Sequence, residues 1–265
     1  MSFGVLMPVR FSIILAVMDE DRNIKVMLKR VKDLFRRGML RGLDEIIFVD
    51  GKKSRKTREI LNRAARAEKN YKIRLLVQKV SPGTVPAQLE GVRRSHAPVV
   101  VIMDCDLQHP PEDIPRLLAE KKRGYSLVAA SRRLGYESER RALSRVLISR
   151  GAQLLAYAYV KGSRKLADPL SGFFVIDRKY LVGLKELPGL NKLLLYIVSA
   201  YPNIKVSELD FKFMRRLYGK SKVISSSLRF MHDYLSELRY YHSIEKECRK
   251  KNGMGRIMLK YAMES

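Results

Sequence analysis

Apolar residues along this chain fall into short unbroken runs, separated by longer stretches where they recur every three or four positions. "RFSIILAVMDE" (10–20), "DEIIFVD" (44–50), "YKIRLLVQKV" (71–80), "PVVVIMDCD" (98–106) and "YSLVAAS" (125–131) are of the first kind. Runs of this length read as strands covered on both faces. "NIKVMLKRVKDLFRRGML" (23–40) has helical spacing and a basic outer side. A basic helix is predicted after residue 50, and "SPGTVPAQLEGVRRS" (81–95) reads as a loop then a helix. "PPEDIPRLLAEKKRG" (110–124) opens with prolines suited to a first helical turn. Alternating strands and helices predict an α/β fold: a Rossmann-like, mostly parallel central sheet flanked by helices.

Beyond residue 131 the pattern changes. It predicts a long helix over 138–160, strands over 171–177 and 203–216, and a helix over 191–201 between them. From about 224 the chain is helical and basic. The expected organisation is a domain of residues 1–223 and a basic amphipathic helical extension of 224–265. In the extension Leu228, Met231, Leu235, Leu238 and Tyr241 lie along one side. Such a stripe suits either a membrane surface or packing on the domain.

Charge changes the picture most. The 265 residues include 53 Lys and Arg against 27 Asp and Glu, a formal net charge of +26. That implies a polyanionic partner: an anionic membrane surface, phosphorylated ligands or nucleic acid. Nucleic acid is the weakest of these, because the cations follow no binding motif and the aromatics do not cluster. Two cysteines give no disulfide framework and fit a reducing compartment. No run reaches the roughly 18 apolar residues of a membrane span, and no signal peptide is read. The expected place is the cytoplasm, peripheral at the cytoplasmic face of a membrane.

Three strands end in acids: Asp19–Glu20, Asp50, and Asp104 with Asp106. In open α/β sheets ligands bind beyond the carboxyl ends of the strands, so these acids are expected in one crevice. Asp104-x-Asp106 with Gln108 offers hard oxygen donors suited to Mg²⁺ or Mn²⁺; a helix cap and a turn is the plainer alternative. Arg141, Arg145 and Ser149 share a helix face. Arg140, Arg141 and Arg150 read as solvated, whereas Arg145, flanked by apolar residues, suits an oxyanion. "RRLYGKSK" (215–222) mixes a glycine and a serine with cations and reads as a phosphate-covering loop or a basic surface turn. Asp168 is read as part of a turn into a strand that buries Phe173 and Phe174, with no chemistry assigned. His109 is expected to shape its loop rather than ligate metal or shuttle a proton. No partner is evident for His96, His232 or His242. Cys105, between two acids, is expected to be an unreactive thiol.

Four segments resemble a known family. "IMDCDLQHPPEDI" (102–114), "GTVPAQLEGVRRS" (83–95), "DPLSGFFVIDR" (168–178) and "RLYGKSK" (216–222) are similar, in order and spacing, to stretches of the dolichol-phosphate mannose synthases. These are family 2 glycosyltransferases of GT-A fold, and the likeness covers about residues 10–224. It implies a metal-dependent, inverting transfer of a sugar, mannose first, from GDP-mannose to a polyprenyl or dolichyl phosphate. It places the donor nucleotide against Ala16, Met18, Glu20, Val49, Asp50, Asp104, Cys105, Asp106, Lys192, Arg216 and Lys222. Asp106 and Gln108 would hold the metal. Arg132, Arg145 and Ser149 would receive the acceptor phosphate, with Asp106, Arg145 and Arg216 central to catalysis. A membrane-embedded partner subunit is also implied. Two segments depart from the family: Ala16-Val17-Met18-Asp19-Glu20 stands for Pro-x-Tyr-Asn-Glu, and Asp50-Gly51 for Asp-Asp. Both normally grip the nucleoside, so UDP-glucose or another donor, and a non-catalytic scaffold of the same fold, stay open beside GDP-mannose.

Overall fold

A computed structural model describes residues 8–52, 54–78, 83–132, 143–185, 189–214, 217–218 and 227–250, without the side chains of 143–147 and 227–230. Its sheet has seven strands: β1 (Phe11–Val17), β2 (Leu43–Asp50), β3 (Lys72–Val77), β4 (Val99–Asp104), β5 (Leu127–Arg132), β6 (Phe174–Asp177) and β7 (Val206–Phe211). Their order is β3-β2-β1-β4-β6-β5-β7. β1 runs parallel to β2 and β4, β2 to β3, and β5 to β7, while β6 lies antiparallel to both its neighbours. The chain reverses direction across the sheet at β1, the switch point at which open sheets form their crevice.

The predicted strands all form; β2 is one residue longer than its apolar run, the others are shorter by one (β5) to eight residues (β7), and β7 stops at Phe211, where its pairing with β5 ends. The helices are α1 (Asp21–Arg36), α2 (Arg55–Ala67), α3 (Thr84–Arg94), α4 (Ile114–Lys121), α5 (Leu143–Tyr159), the single turn α6 (Lys179–Val182), α7 (Leu193–Ala200) and α8 (Ser227–Lys250). The prolines before α4 form a 3₁₀ turn, Pro111–Asp113, ahead of the α-helix. Residues 138–142 of the expected long helix lie outside the described residues.

Alternation along the strands divides the core in two. Ile13, Leu15 and Phe48 face α1, α2 and α4, whereas Ile14, Ile47 and Val49 face α3 and α7. Gly91 of α3 lies so close to the sheet that a Cβ would come within 2.6 Å of Ile14 Cγ2. Glycine is what lets this helix reach β1.

At the amino edge of the sheet, buried Glu45 accepts from Ser12 Oγ (3.1 Å), the His96 N–H (2.8 Å) and Arg74 Nη1 (2.7 Å). Burial pushes its carboxyl up, but these partners outweigh that and hold it below the ordinary value. His96 therefore has a partner that the sequence reading did not find. So do His242, whose Nδ1 is 2.8 Å from Tyr159 O, and His232, 3.5 Å from the Asp233 carboxylate.

α8 packs on the domain. Tyr234, Leu238 and Tyr241 join the same core as α7, and Cys248 is buried farther along. The expected apolar stripe is rotated: Met231 is exposed and Leu235 half-buried, while Glu237 and Glu245 lie on the buried face. The two glutamates are there for hydrogen bonding. Glu237 Oε1 accepts the N–H groups of Asn191 (2.6 Å) and Lys192 (2.7 Å) and the Tyr241 hydroxyl (2.6 Å). Glu245 accepts from the N–H groups of Gly162 (2.7 Å) and Lys161 (2.8 Å). An orphaned buried donor costs about 1–3 kcal/mol. Glu237→Ala is therefore expected to destabilise the fold by roughly 2–5 kcal/mol, and Glu237→Gln by less because a carbonyl oxygen stays in place. Urea unfolding measures both; an unchanged midpoint for Glu237→Ala would contradict this role.

Candidate functional site

The parallel register brings the acids to one edge. Across β1 and β4 Ala16 pairs with Asp104, and across β1 and β2 Val17 pairs with Asp50. Because β6 is antiparallel, its entry, Ser171–Phe173, arrives at that same edge. The turns after β1 and β4 each hold a non-glycine residue in the left-handed region, Asp19 at φ 59° and Leu107 at φ 66°. Such residues are few outside functional or tightly held turns, and nothing in the sequence marked either for this backbone conformation.

Asp104 donates its N–H to Nδ1 of His109 at 3.0 Å. His109 is buried against Phe173, with ring centres 5.4 Å apart, and edge-on to Phe211 and Phe213. Accepting at Nδ1 makes His109 a brace for the strand end, as the sequence suggested, and takes that nitrogen away from metal. Gly172 completes the packing: a Cβ there would fall 3.4 Å from His109 Cε1 and 3.5 Å from Asp104 Oδ2.

Asp106 is only 6% exposed, and its Oδ1 accepts the Gln108 N–H at 3.0 Å. The Gln108 carbonyl accepts the Met214 N–H at 3.0 Å, and its side-chain amide donates to Met214 O at 3.4 Å. That donation leaves the amide oxygen as the end suited to a cation. Among the described residues no three His, Cys, Asp or Glu side chains close on a point. Two carboxylates and an amide nevertheless fit the sparse hard-oxygen set that Mg²⁺ or Mn²⁺ takes when substrate phosphates complete the shell.

Two cations stand beside these acids. Arg132, at the end of β5, is gripped by Asp168: Nε donates to Oδ2 at 2.6 Å, Nη2 to Oδ1 at 2.8 Å, and the Arg132 N–H to Oδ2 at 3.1 Å. Its guanidinium also lies 5.6 Å from the centre of the Phe213 ring. Lys192 occupies the N-cap position of α7. Burial pushes its ammonium down in pKa; Glu237 opposes this, Arg132 adds to it, and Asp104 and Asp168 oppose it. Lys192 is thus close enough to Asp104 and to the Arg132 guanidinium to feel both charges. The Gly83–Thr84 turn adjoins it, because the Val85 N–H donates to Leu190 O at 3.2 Å.

The remaining candidates are placed as follows. Ala16 is half-buried and Met18 exposed. Val49 is fully buried in the core, so its contacts to any ligand fall to the backbone. The Asp50 carboxylate accepts the N–H groups of Lys52 (2.9 Å) and Ser54 (2.8 Å), bracing the loop into α2. Glu20 accepts from Asn23, and Asp19 pairs with Lys52. Asp19–Asn23, Lys56 and Tyr218 border a hollow of about 290 Å³ at the start of α1. The Cys105 thiol is pushed well up by burial and then by Glu20, Asp106 and Asp104, which agrees with an unreactive group. Ser149 is half-buried on α5, the helix that also carries Arg145, whose side chain is outside the described residues, as are Arg216 and Lys222. Sequence reasoning missed Asp168 as the partner of Arg132. Its partner is 36 residues away, and no local pattern marks an acid in a turn as the holder of a distant arginine.

Known proteins carry the same pattern. Residues 12–182 match the model of glycosyl transferase family 2. The dolichol-phosphate mannosyltransferase of Pyrococcus furiosus is 31% identical over 216 residues, which are 81% of this chain and 59% of that protein, so the chain spans about three fifths of that relative's length. The protein of the same name from Saccharomyces cerevisiae is 28% identical over 244 residues, covering 88% of this chain and 87% of its own. Among solved structures, glucosyl-3-phosphoglycerate synthase of Mycobacterium tuberculosis, in complex with Mn²⁺ and UDP-glucose, superposes with a TM-score of 0.64 at 16% identity. That likeness covers 88% of this chain and 79% of the other and shows a shared GT-A fold. The family match takes in β1 to β6, with every acid-ended strand and the Asp168–Phe174 entry, and the chain belongs to glycosyl transferase family 2.

Proposed function

We propose that the protein transfers a sugar from a nucleotide-diphosphate donor to the phosphate of a polyprenyl lipid, with GDP-mannose and dolichyl phosphate as the first pair. One observation carries the reading: β4, which ends in Asp104, and β5, which ends in Arg132, both pair antiparallel with β6, so an acid suited to a metal–nucleotide and a cation suited to a phosphate come to the same sheet edge. The relatives named dolichol-phosphate mannosyltransferase support the lipid acceptor.

The chemistry follows from charge. The acceptor phosphate, with a second pKa near 6, is an anion at neutral pH. Its oxygen forms a bond to the anomeric carbon as the bond to the diphosphate oxygen breaks, inverting that centre and needing no general base. The obstacle is bringing one anion against another. Arg132, with Arg145 and Ser149 on α5, receives the acceptor phosphate. Lys192, Arg216 and Lys222 hold the diphosphate and stabilise the charge that develops on it. Glu20, Asp50 and Asp104, with the backbone around Ala16, Met18, Val49 and Cys105, hold the nucleoside. Asp106 and Gln108 would hold a Mg²⁺ or Mn²⁺ ion, which when bound would supply further positive charge to the departing diphosphate.

A lipid acceptor sets the working place at a membrane. No helix among the described residues is long and apolar enough to cross one. The net charge of +26 favours attraction to an anionic surface, at about 1 kcal/mol for each Lys or Arg near the headgroups. We take that surface to be a cytoplasmic face, with a membrane-embedded subunit as a further anchor.

Incubation with Mn²⁺ or Mg²⁺, labelled GDP-mannose and dolichyl phosphate is expected to move label into the lipid extract, and a chelator to stop it. Absence of lipid-linked sugar with GDP-mannose, UDP-glucose and the other common donors would contradict the reading. Asp106→Ala is expected to lower transfer about 100-fold or more while the fold stays intact, seen as a cooperative urea transition; full activity would refute the metal role.

A further inference from the structure

The segment entering β6 ties together the two elements that carry the acceptor-side residues. Glu208 of β7 accepts the N–H groups of Ala167 (2.5 Å) and Asp168 (3.0 Å). From α5, Tyr157 donates its hydroxyl to Leu166 O at 2.9 Å, and Gln153 donates to Ala167 O. The Asp168 side chain then grips Arg132 of β5 through both its oxygens. One short loop thus fixes the end of β5 against α5.

We propose that Asp168 is a positioning residue for the acceptor phosphate, acting through Arg132; this rests on the transfer reaction proposed above. The geometry gives three reasons. Asp168 meets the Nε–Nη2 side of the guanidinium, using two of its five N–H donors and turning the Nη1 side away from Asp168. Phe213 flanks the same group, so carboxylate and ring together set its orientation. Asp168 is itself buried at 6% exposure and held at its own N–H, so it cannot follow a moving arginine. An arginine fixed in this way meets a phosphate without first losing side-chain freedom, and a misplacement of about 1 Å in such a group can cost about 100-fold in rate. With both oxygens engaged by Arg132, Asp168 is not placed to take a proton from the acceptor, and the anionic acceptor has none to give up.

The test measures transfer to a short-chain, water-soluble polyprenyl phosphate by the full chain, comparing Asp168→Asn, Arg132→Gln and the double variant with wild type. Asp168→Asn is expected to raise the acceptor KM about tenfold or more and leave the donor KM within about twofold. In the Arg132→Gln background Asp168→Asn is expected to add nothing further, because its action passes through the arginine. Arg132→Lys keeps the charge and loses the two-point grip; it is expected to show the same acceptor-only defect, which covers the case in which Asp168→Asn does not fold. Losses that multiply in the double variant, or donor and acceptor KM rising together, would overturn the inference while leaving the transfer reaction standing. No transfer by wild type with any donor would overturn both.

Discussion

Three parallel strands that end level with one another set the whole site. Hydrogen bonding between β1, β2 and β4 fixes Ala16 opposite Asp104 and Val17 opposite Asp50, so the residues just beyond them have to share one edge. A slip of one residue would turn every side chain of a strand to the other face and exchange the residues that pack the two cores. Ile13, Ile14 and Leu15 are all fully buried in close-packed surroundings, so that slip would misfit both cores at once. The register that builds the core is therefore the register that gathers the acids.

The second requirement is electrostatic. A chain of +26 could neutralise every acid it places at a surface. At this edge the acids are engaged selectively. Asp168 is spent on Arg132, Asp50 on the N–H groups of the following loop, and Glu237 on the cap of α7. Asp106 keeps one oxygen against the Gln108 N–H within its own turn. Structural carboxylates hold the cations and loops, and the Asp104–Gln108 turn keeps the oxygen-rich character that a metal and a nucleotide need. α8 takes part through Glu237, whose Oε1 binds the backbone of the residue that supplies the Lys192 ammonium. A helix that looked like an appendage is thus joined to the edge where the chemistry is proposed.

Much of this was legible in the sequence. Unbroken apolar runs located the first five strands because a strand covered on both faces must be apolar throughout, and the last two were read from "SGFFVID" and from the rough alternation over 203–216. The acids after Val17, Val49 and Met103 stood out because charge at the tip of such a run needs a reason. His109 was legible as a brace from its place beside Asp106, and Phe173 and Phe174 as core from their strand. The rest was hidden because it depends on distant partners. Asp168 with Arg132, Glu45 with His96 and Arg74, and Glu245 with Gly162 join residues far apart in the chain, and no periodicity encodes them. The buried side of α8 was misjudged for the same cause. A pattern of apolar residues counts glutamate as exposed, whereas Glu237 and Glu245 lie inside because backbone N–H groups await them.

The central claim is that the metal-side acids and the phosphate-binding cations serve one cleft in which both reactants sit together. Phosphorus NMR of a short-chain polyprenyl phosphate, bound with a nucleoside diphosphate, tests it directly by exchanging Mg²⁺ for Mn²⁺. A shared cleft predicts strong paramagnetic broadening of the acceptor phosphorus signal with Mn²⁺. An acceptor signal as sharp with Mn²⁺ as with Mg²⁺, while calorimetry shows both ligands bound, would contradict it.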